Sequence, residues 1–461
     1  MPRALRSFLC LLAAGALMSA CTSGGTRSSD TTSAPEPSTT VAKGSGPATV
    51  GGITWVPCGQ VQCGTIDVPA SSLEPAGPGL RLALYRRAAT AGTVRGTLLL
   101  LPDFDGPTAR MLAERAVTMV GPAARSFDVV ALSPRGFFDS SALPCGAETE
   151  WIADDQRALQ VAAACVVDRP GTATSLGLLD SADDVERAVD ALGARGVRAV
   201  GWGRGATILA AWKMTNPSSS SFVVLDSPED PGVPLARTAA ANRRSEDAAL
   251  AATMLWCTSH ISCPLVENAA KRVKFVLDDI TSGVSGPATE SHFRLAFSRV
   301  MRDGDYGGLF RALASAEDAD FAPLVGFADA AGSASEASFA ARIAAACSDL
   351  SRDDASAIIA ADAAFETVLF RVGLGSTLPR VCASMPEPSR PFAPVKPVAA
   401  ARGATVRVYA ARGDGITSPT AARALAKRLD WDFAQVGVDD HLVVGRDRAT
   451  TDAVSQFLTG E

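Results

Sequence analysis

The chain has 461 residues, 47% hydrophobic and 20% charged, with 40 glycines and 28 prolines. This is globular composition, long enough for one large domain with an insertion, or for two domains. A formal charge of −6 without long basic runs argues against nucleic acid or an anionic lipid surface as the main partner.

Residues 1–20 read as a targeting segment: Arg3 and Arg6, then an apolar run from Phe8 to Met18, then Ser19-Ala20 before Cys21. The run is too short for a membrane span. Leu17-Met-Ser-Ala-Cys21 resembles a bacterial lipobox, with Met18 in place of the usual leucine. It predicts lipidation of Cys21 and a chain held at the outer face of the plasma membrane. The alternative is a plainly cleaved signal and a secreted chain. Residues 21–50 are rich in Ser, Thr, Gly and Pro and cannot bury enough surface to fold, so they read as a flexible tether. Beyond them lie eight cysteines, an even number in an exported chain. The simplest of many connectivities pairs neighbours: Cys58–Cys63, Cys145–Cys165, Cys257–Cys263 and Cys347–Cys382. No C-x-x-C occurs and only His260, His292 and His441 are present, so no metal or cofactor is expected.

Residues 51–231 alternate strand and helix signals. Leu80, Leu82 and Leu84 alternate with polar or small residues as in a half-buried strand, and Thr97–Leu101 is an apolar run as in a strand covered on both faces. Phe127–Leu132 is another. Ser181 with Asp184 reads as a partial capping box opening a helix that Gly193 stops. Phe222–Asp226 is the strand after that. Residues 232–400 are Ala/Asp/Ser-rich with helical patterning (Leu235–Cys257, Val266–Ile280, Ala337–Cys347) and no clear strand, which predicts a helical insertion over the sheet. Residues 401–461 return to strand and helix: Thr405–Ala410, Thr420–Leu429, Phe433–Val436 and Thr450–Leu458. The expectation is an α/β fold, a mostly parallel sheet with helices on both faces and a helical cap.

Within it, Arg198-Ala-Val-Gly-Trp-Gly-Arg-Gly-Ala-Thr207 reads as strand, sharp turn and helix. In α/β-hydrolases this turn is the nucleophile elbow, G-x-S-x-G. Here the register is Gly201, Trp202, Gly203, Arg204, Gly205, so glycine holds the serine position.

The landmarks taken together resemble the exported tripeptidyl-aminopeptidase-like α/β-hydrolases of the proline-iminopeptidase group. They are Trp55-Val-Pro-Cys58 with Cys63-Gly-Thr-Ile-Asp-Val-Pro69, Phe127-Asp-Val-Val with Ser133-Pro-Arg-Gly136, Val224-Leu-Asp-Ser-Pro-Glu-Asp-Pro231, and Ala344-Ala-Ala-Cys347-Ser-Asp349. The resemblance implies hydrolysis of peptide bonds near a free N-terminus, or of small esters and amides. It places Asp414 at the acid, His441 at the base, Gly203 at the nucleophile, and Phe104 and Arg204 at the oxyanion-hole positions.

Three features depart from that chemistry. Gly203 has no side chain to attack a carbonyl, and loss of a triad serine can lower the rate about 10⁶-fold. Pro102-Asp-Phe-Asp-Gly-Pro-Thr108 stands where the family has a glycine-rich loop, so Asp103 and Asp105 bring negative charge to the oxyanion site. Asp439 and Asp440 precede His441 and favour its imidazolium. The expectation is a non-catalytic homologue that binds peptide-like or acyl ligands in the old cleft. Its rivals are an active hydrolase using another serine or a water activated by His441–Asp414, and an envelope protein without a ligand. A third is a nucleotide-binding domain built on Gly201-x-Gly203-x-x-Ala206 with Asp226 as the ribose acid.

Overall fold

A computed structural model describes residues 48–104, 106–136, 139–141, 163, 170–333, 339–363, 377–403 and 405–460. Cys21, Asp105 and the pairing Cys145–Cys165 therefore lie outside the described residues. Among the described residues ten strands form one sheet: β1 (Ala48–Val50), β2 (Ile53–Cys58), β3 (Val61–Pro69), β4 (Gly79–Arg87), β5 (Thr97–Leu101), β6 (Asp128–Leu132), β7 (Val197–Trp202), β8 (Ser220–Asp226), β9 (Val406–Ala411) and β10 (Asp432–Val436). Their order is β1-β2-β3-β4-β6-β5-β7-β8-β9-β10. The first four strands run antiparallel to their neighbours, while β6, β5, β7, β8, β9 and β10 pair in parallel.

The apolar run of β5 explains the layering. Side chains alternate across a strand, so Leu99 and Leu101 enter one core layer while Leu98 and Leu100 enter the other. The first layer is closed by helices Leu178–Ala191, Arg204–Thr215 and Pro419–Leu429, the second by Ala109–Glu114 and Arg448–Thr459. Between β8 and β9 run the predicted cap helices, beginning with Leu235–Ser259. They bury a separate core that includes Phe293, Phe297, Phe310 and Leu313. No described helix is long and apolar enough to cross a membrane.

Element types agree with the sequence reading, with three differences. Residues 48–50, read as the end of the tether, pair with β2 as β1. The hairpin β2–β3 was not foreseen as strands, because Trp55 and Val56 alternate over only a few residues before Pro57. It is closed by the Cys58–Cys63 disulfide. The helix assigned to Ser181 begins three residues earlier, at Leu178. Its first turn is satisfied not by a local capping box but by Asp349, whose Oδ1 accepts from the Leu178 N–H at 2.6 Å. Ser181 bonds back to the Gly177 carbonyl. Asp184 instead forms a bidentate pair with buried Arg135, 2.7 Å at both contacts. Disulfides Cys257–Cys263 and Cys347–Cys382 are also formed.

Arg135, from Ser133-Pro-Arg-Gly136, further donates to the carbonyls of Ala70 and Ser175. It ties the end of β6 to the β3–β4 loop and to the segment entering helix Leu178–Ala191. Removing one partner of a buried pair strands the other, which typically costs about 3–5 kcal/mol. We expect Arg135→Leu to lose roughly that much, read by urea unfolding followed by circular dichroism.

Candidate functional site

The three glycines of the turn after β7 have different causes. A Cβ at Gly205 would lie 2.4 Å from the Leu101 carbonyl oxygen, and one at Gly201 would lie 2.7 Å from Gly205 backbone. Both positions must be bare for helix Arg204–Thr215 to start this close to β5. Gly203 has φ +49° and ψ −113°, outside the ordinary range for L-residues, and its N–H bonds to the Asp226 carbonyl. The chain therefore makes the elbow turn, with helix Arg204–Thr215 starting at its second half.

What fills the serine position is a side chain from another loop. A Cβ on residue 203 would fall 2.2 Å from Asp103 Oδ1 and 2.4 Å from its Cγ. The Asp103 carboxylate, from the loop after β5, thus occupies the space of the missing side chain. Its Oδ1 accepts the backbone N–H of Arg204 at 2.8 Å, and its Oδ2 lies 3.6 Å from His441 Nε2. Arg204 was expected at the oxyanion position, and its N–H is indeed spent on an anion, one built into the chain. Phe104, the other oxyanion position, is half-buried and lies under the Arg204 guanidinium, 5.8 Å from it.

Asp414 and His441 come together as the chain order suggested. The loop after β9 folds around Asp414, whose carboxylate accepts from the backbones of Ile416 and Thr417 and from Thr417 Oγ1 at 2.8–2.9 Å. Its Oδ2 meets His441 Nδ1 at 2.9 Å. The His441 loop is held from two sides. The Asp226 carboxylate accepts from Val443 and Val444 N–H at 2.8 Å each, fixing Leu442 at φ +68°. From the cap, the Met301 carbonyl accepts the His441 N–H. Arg446 donates to the Arg302 and His441 carbonyls.

Asp226 is therefore no ribose ligand: it is fully buried and engaged with the His441 loop. That removes the acidic residue the dinucleotide reading needs. No signal short of the strand order could have revealed this role, since the partners lie more than 200 residues away. Asp349 likewise acts at a distance, with Oδ2 2.6 Å from Arg204 Nη2 and Oδ1 on Leu178.

His441 is 2% exposed. Burial opposes its charge, yet the Asp414 and Asp103 carboxylates outweigh that and push its pKa up to about 10. Burial raises Asp103 and Asp414 too, but the imidazolium and the N–H donors hold both below the ordinary carboxylate range. The sequence reading attributed the imidazolium to Asp439 and Asp440. The charge comes instead from Asp103 and Asp414, while Asp439 turns outward to Arg412 at 3.3 Å. The result is an imidazolium clamped between two carboxylates.

Above the elbow lies a cleft of about 390 Å³. Arg204, Gly415 and Ile416 form its core side, and Phe297, Met301 and Ile358 belong to its cap side. Its charged groups are largely engaged: Arg204 with Asp349, Arg243 with Glu246 at 2.7 Å, and Glu229 with the Asn242 amide at 2.7 Å. Burial raises the Glu229 pKa. Among the described residues no cluster of three or more His, Cys, Asp or Glu is placed to hold a metal ion.

A family model described as alpha/beta hydrolase fold matches residues 113–436. The chain belongs to the α/β-hydrolase fold family. Solved structures similar to this hydrolase-fold chain include homoserine O-acetyltransferase from Staphylococcus aureus, at 11% identity and TM-score 0.43, covering 86% of this chain and 94% of that one. A thermophilic esterase from Thermogutta terrifontis is 13% identical with TM-score 0.37, covering 86% and 98%. A probable hydrolytic enzyme from Pseudomonas aeruginosa PAO1 is 11% identical with TM-score 0.38, covering 86% and 94%. At these values they carry no argument about activity. No curated protein sequence matches this chain.

The two carboxylates and His441 make a sharp pH statement. A histidine whose folded pKa is raised contributes stability below its unfolded value of 6.5, and loses it as pH rises through about 10. Both ring nitrogens should therefore be protonated at pH 7 in ¹⁵N spectra, with titration only near pH 10. Asp103→Asn should lower that midpoint; a neutral ring at pH 7 in the unaltered chain would contradict the clamp.

Proposed function

We propose that this chain is a non-catalytic member of the tripeptidyl-aminopeptidase-like group, exported and held to the membrane through Cys21, that binds peptide-like or acyl ligands in the cleft beneath its cap. One observation carries the non-catalytic reading. The Asp103 carboxylate sits in the space of the nucleophile's side chain and accepts the oxyanion-hole N–H of Arg204. A carbonyl approaching the elbow meets a negative charge where its own would develop. A water activated by His441–Asp414 fares no better, because an imidazolium has no lone pair to take the water's proton.

The cleft supports the binding half. Glu229 lines it with its side chain bonded to the Asn242 amide, so it offers a carboxylate to a ligand's ammonium group. The Ser/Thr/Gly/Pro tether and the Leu17–Cys21 motif support the envelope location.

The test of inactivity is two-step restoration. Gly203→Ser alone should stay inactive toward p-nitrophenyl acetate and aminoacyl anilides, since its Cβ would overlap Asp103. Asp103→Gly combined with Gly203→Ser should give measurable turnover and label with a fluorophosphonate. Turnover by the unaltered chain, lost in His441→Ala, would sink the reading. For the cleft, calorimetry with a tripeptide bearing a free N-terminus should show binding that weakens about tenfold or more in Glu229→Gln. Equal affinity for the N-acetylated tripeptide would count against Glu229 as the anchor.

A further inference from the structure

Helix Leu235–Ser259 separates two cavities. The face bearing Ala239, Asn242 and Glu246 lines the cleft just described. The opposite face, carrying Arg237, Ala241, Arg244 and Ala248, lines a groove of about 570 Å³ against the N-terminal end of helix Pro419–Leu429. These residues recur at spacings of four, three and four, which places them on one side of the helix. The alanines leave open floor between two exposed arginines seven residues apart.

The charge in this groove is not balanced. Its acids are already engaged: Asp230 with Arg428 at 2.5 Å, Asp439 with Arg412 at 3.3 Å, and buried Asp414 with His441. Arg237 and Arg244 meet no carboxylate among the described residues.

The facing helix end adds a donor. Ser418 N–H is taken by Asn242 Oδ1, Pro419 has no N–H, and Ala421 N–H is capped by Ser418 Oγ. Thr420 alone in that first turn keeps a backbone N–H without an acceptor among the described residues. It lines the groove with the arginines. Guanidinium forks and a helix-start N–H are the groups that bind tetrahedral oxyanions.

We propose that this groove is a second ligand site, for a phosphate group, distinct from the cleft and independent of whether the cleft binds peptides. The overall negative charge argues against a broad anionic surface as the main partner; the groove is a local exception that admits a head group or a soluble phosphate. The phosphate lies between Arg237 and Arg244, with Thr420 N–H donating from the core side. Because Asn242 bonds both Ser418 and Glu229, and Thr238 on the same helix lines both cavities, an occupant would brace the cap helix against the core.

The experiment uses the full chain with Cys21→Ser, so that no lipid of its own interferes. Calorimetry with inorganic phosphate should show saturable binding that weakens roughly tenfold for each of Arg237→Ala and Arg244→Ala. Arg448→Ala, a 96%-exposed side chain on helix Arg448–Thr459, should leave binding unchanged. Vesicles of phosphatidylglycerol against phosphatidylcholine separate the sources. Retention on the former, lost in the double variant, assigns a lipid phosphate; phosphate binding without retention assigns a soluble one. Unchanged circular dichroism shows that the variants fold. The proposal is overturned by no phosphate binding, or by binding that survives in Arg237→Ala/Arg244→Ala.

Discussion

The site depends on how closely helix Arg204–Thr215 starts against the end of β5. Gly205 lies so near the carbonyls of Leu101 and Pro102 that even a methyl group would overlap them. That approach brings the loop after β5 beside the turn after β7. In a hydrolase it aims backbone N–H groups at a substrate oxygen. Here the same proximity lets Asp103 reach across and fill the vacant side-chain position. With serine at 203 the two side chains could not coexist, so glycine at one position and aspartate at the other form one arrangement.

Charge then locks what packing allows. An isolated buried imidazolium would be costly, and so would two buried carboxylates. Placed as Asp414–His441–Asp103, each offsets the other's desolvation, and the N–H groups of Ile416, Thr417 and Arg204 satisfy the remaining oxygens. A histidine whose charge is held between two carboxylates is a well-satisfied structural group. The cap adds to this through Met301 and Arg446, which tie the His441 loop to helix Glu290–Asp303. A segment pinned at the histidine itself is poorly suited to swing open as a lid.

Residue patterns carried much of this. The apolar runs Thr97–Leu101 and Phe222–Asp226 and the alternating glycines were legible because local periodicity and turn chemistry determine them, whereas Asp414 and His441 were singled out by the family resemblance. The Ser181 helix start was misread because a distant residue, Asp349, supplied the cap that a local rule sought nearby. The histidine's charge was anticipated for the wrong reason. Asp439 and Asp440 adjoin it in sequence, but the groups that adjoin it in space come from residues 103 and 414.

The sequence alone thus determined the class of fold and the glycine at the turn after β7, since periodicity and residue identity are one-dimensional facts. Only the tertiary structure decided which carboxylate took the nucleophile's place, what Asp226 does, and where two arginines stand without acids. Those depend on distances between residues about 100 to 340 positions apart, and no spacing rule along the chain encodes them. Such contacts are set by how β5, β7, β8 and β9 stack side by side and present their following loops at one edge of the sheet.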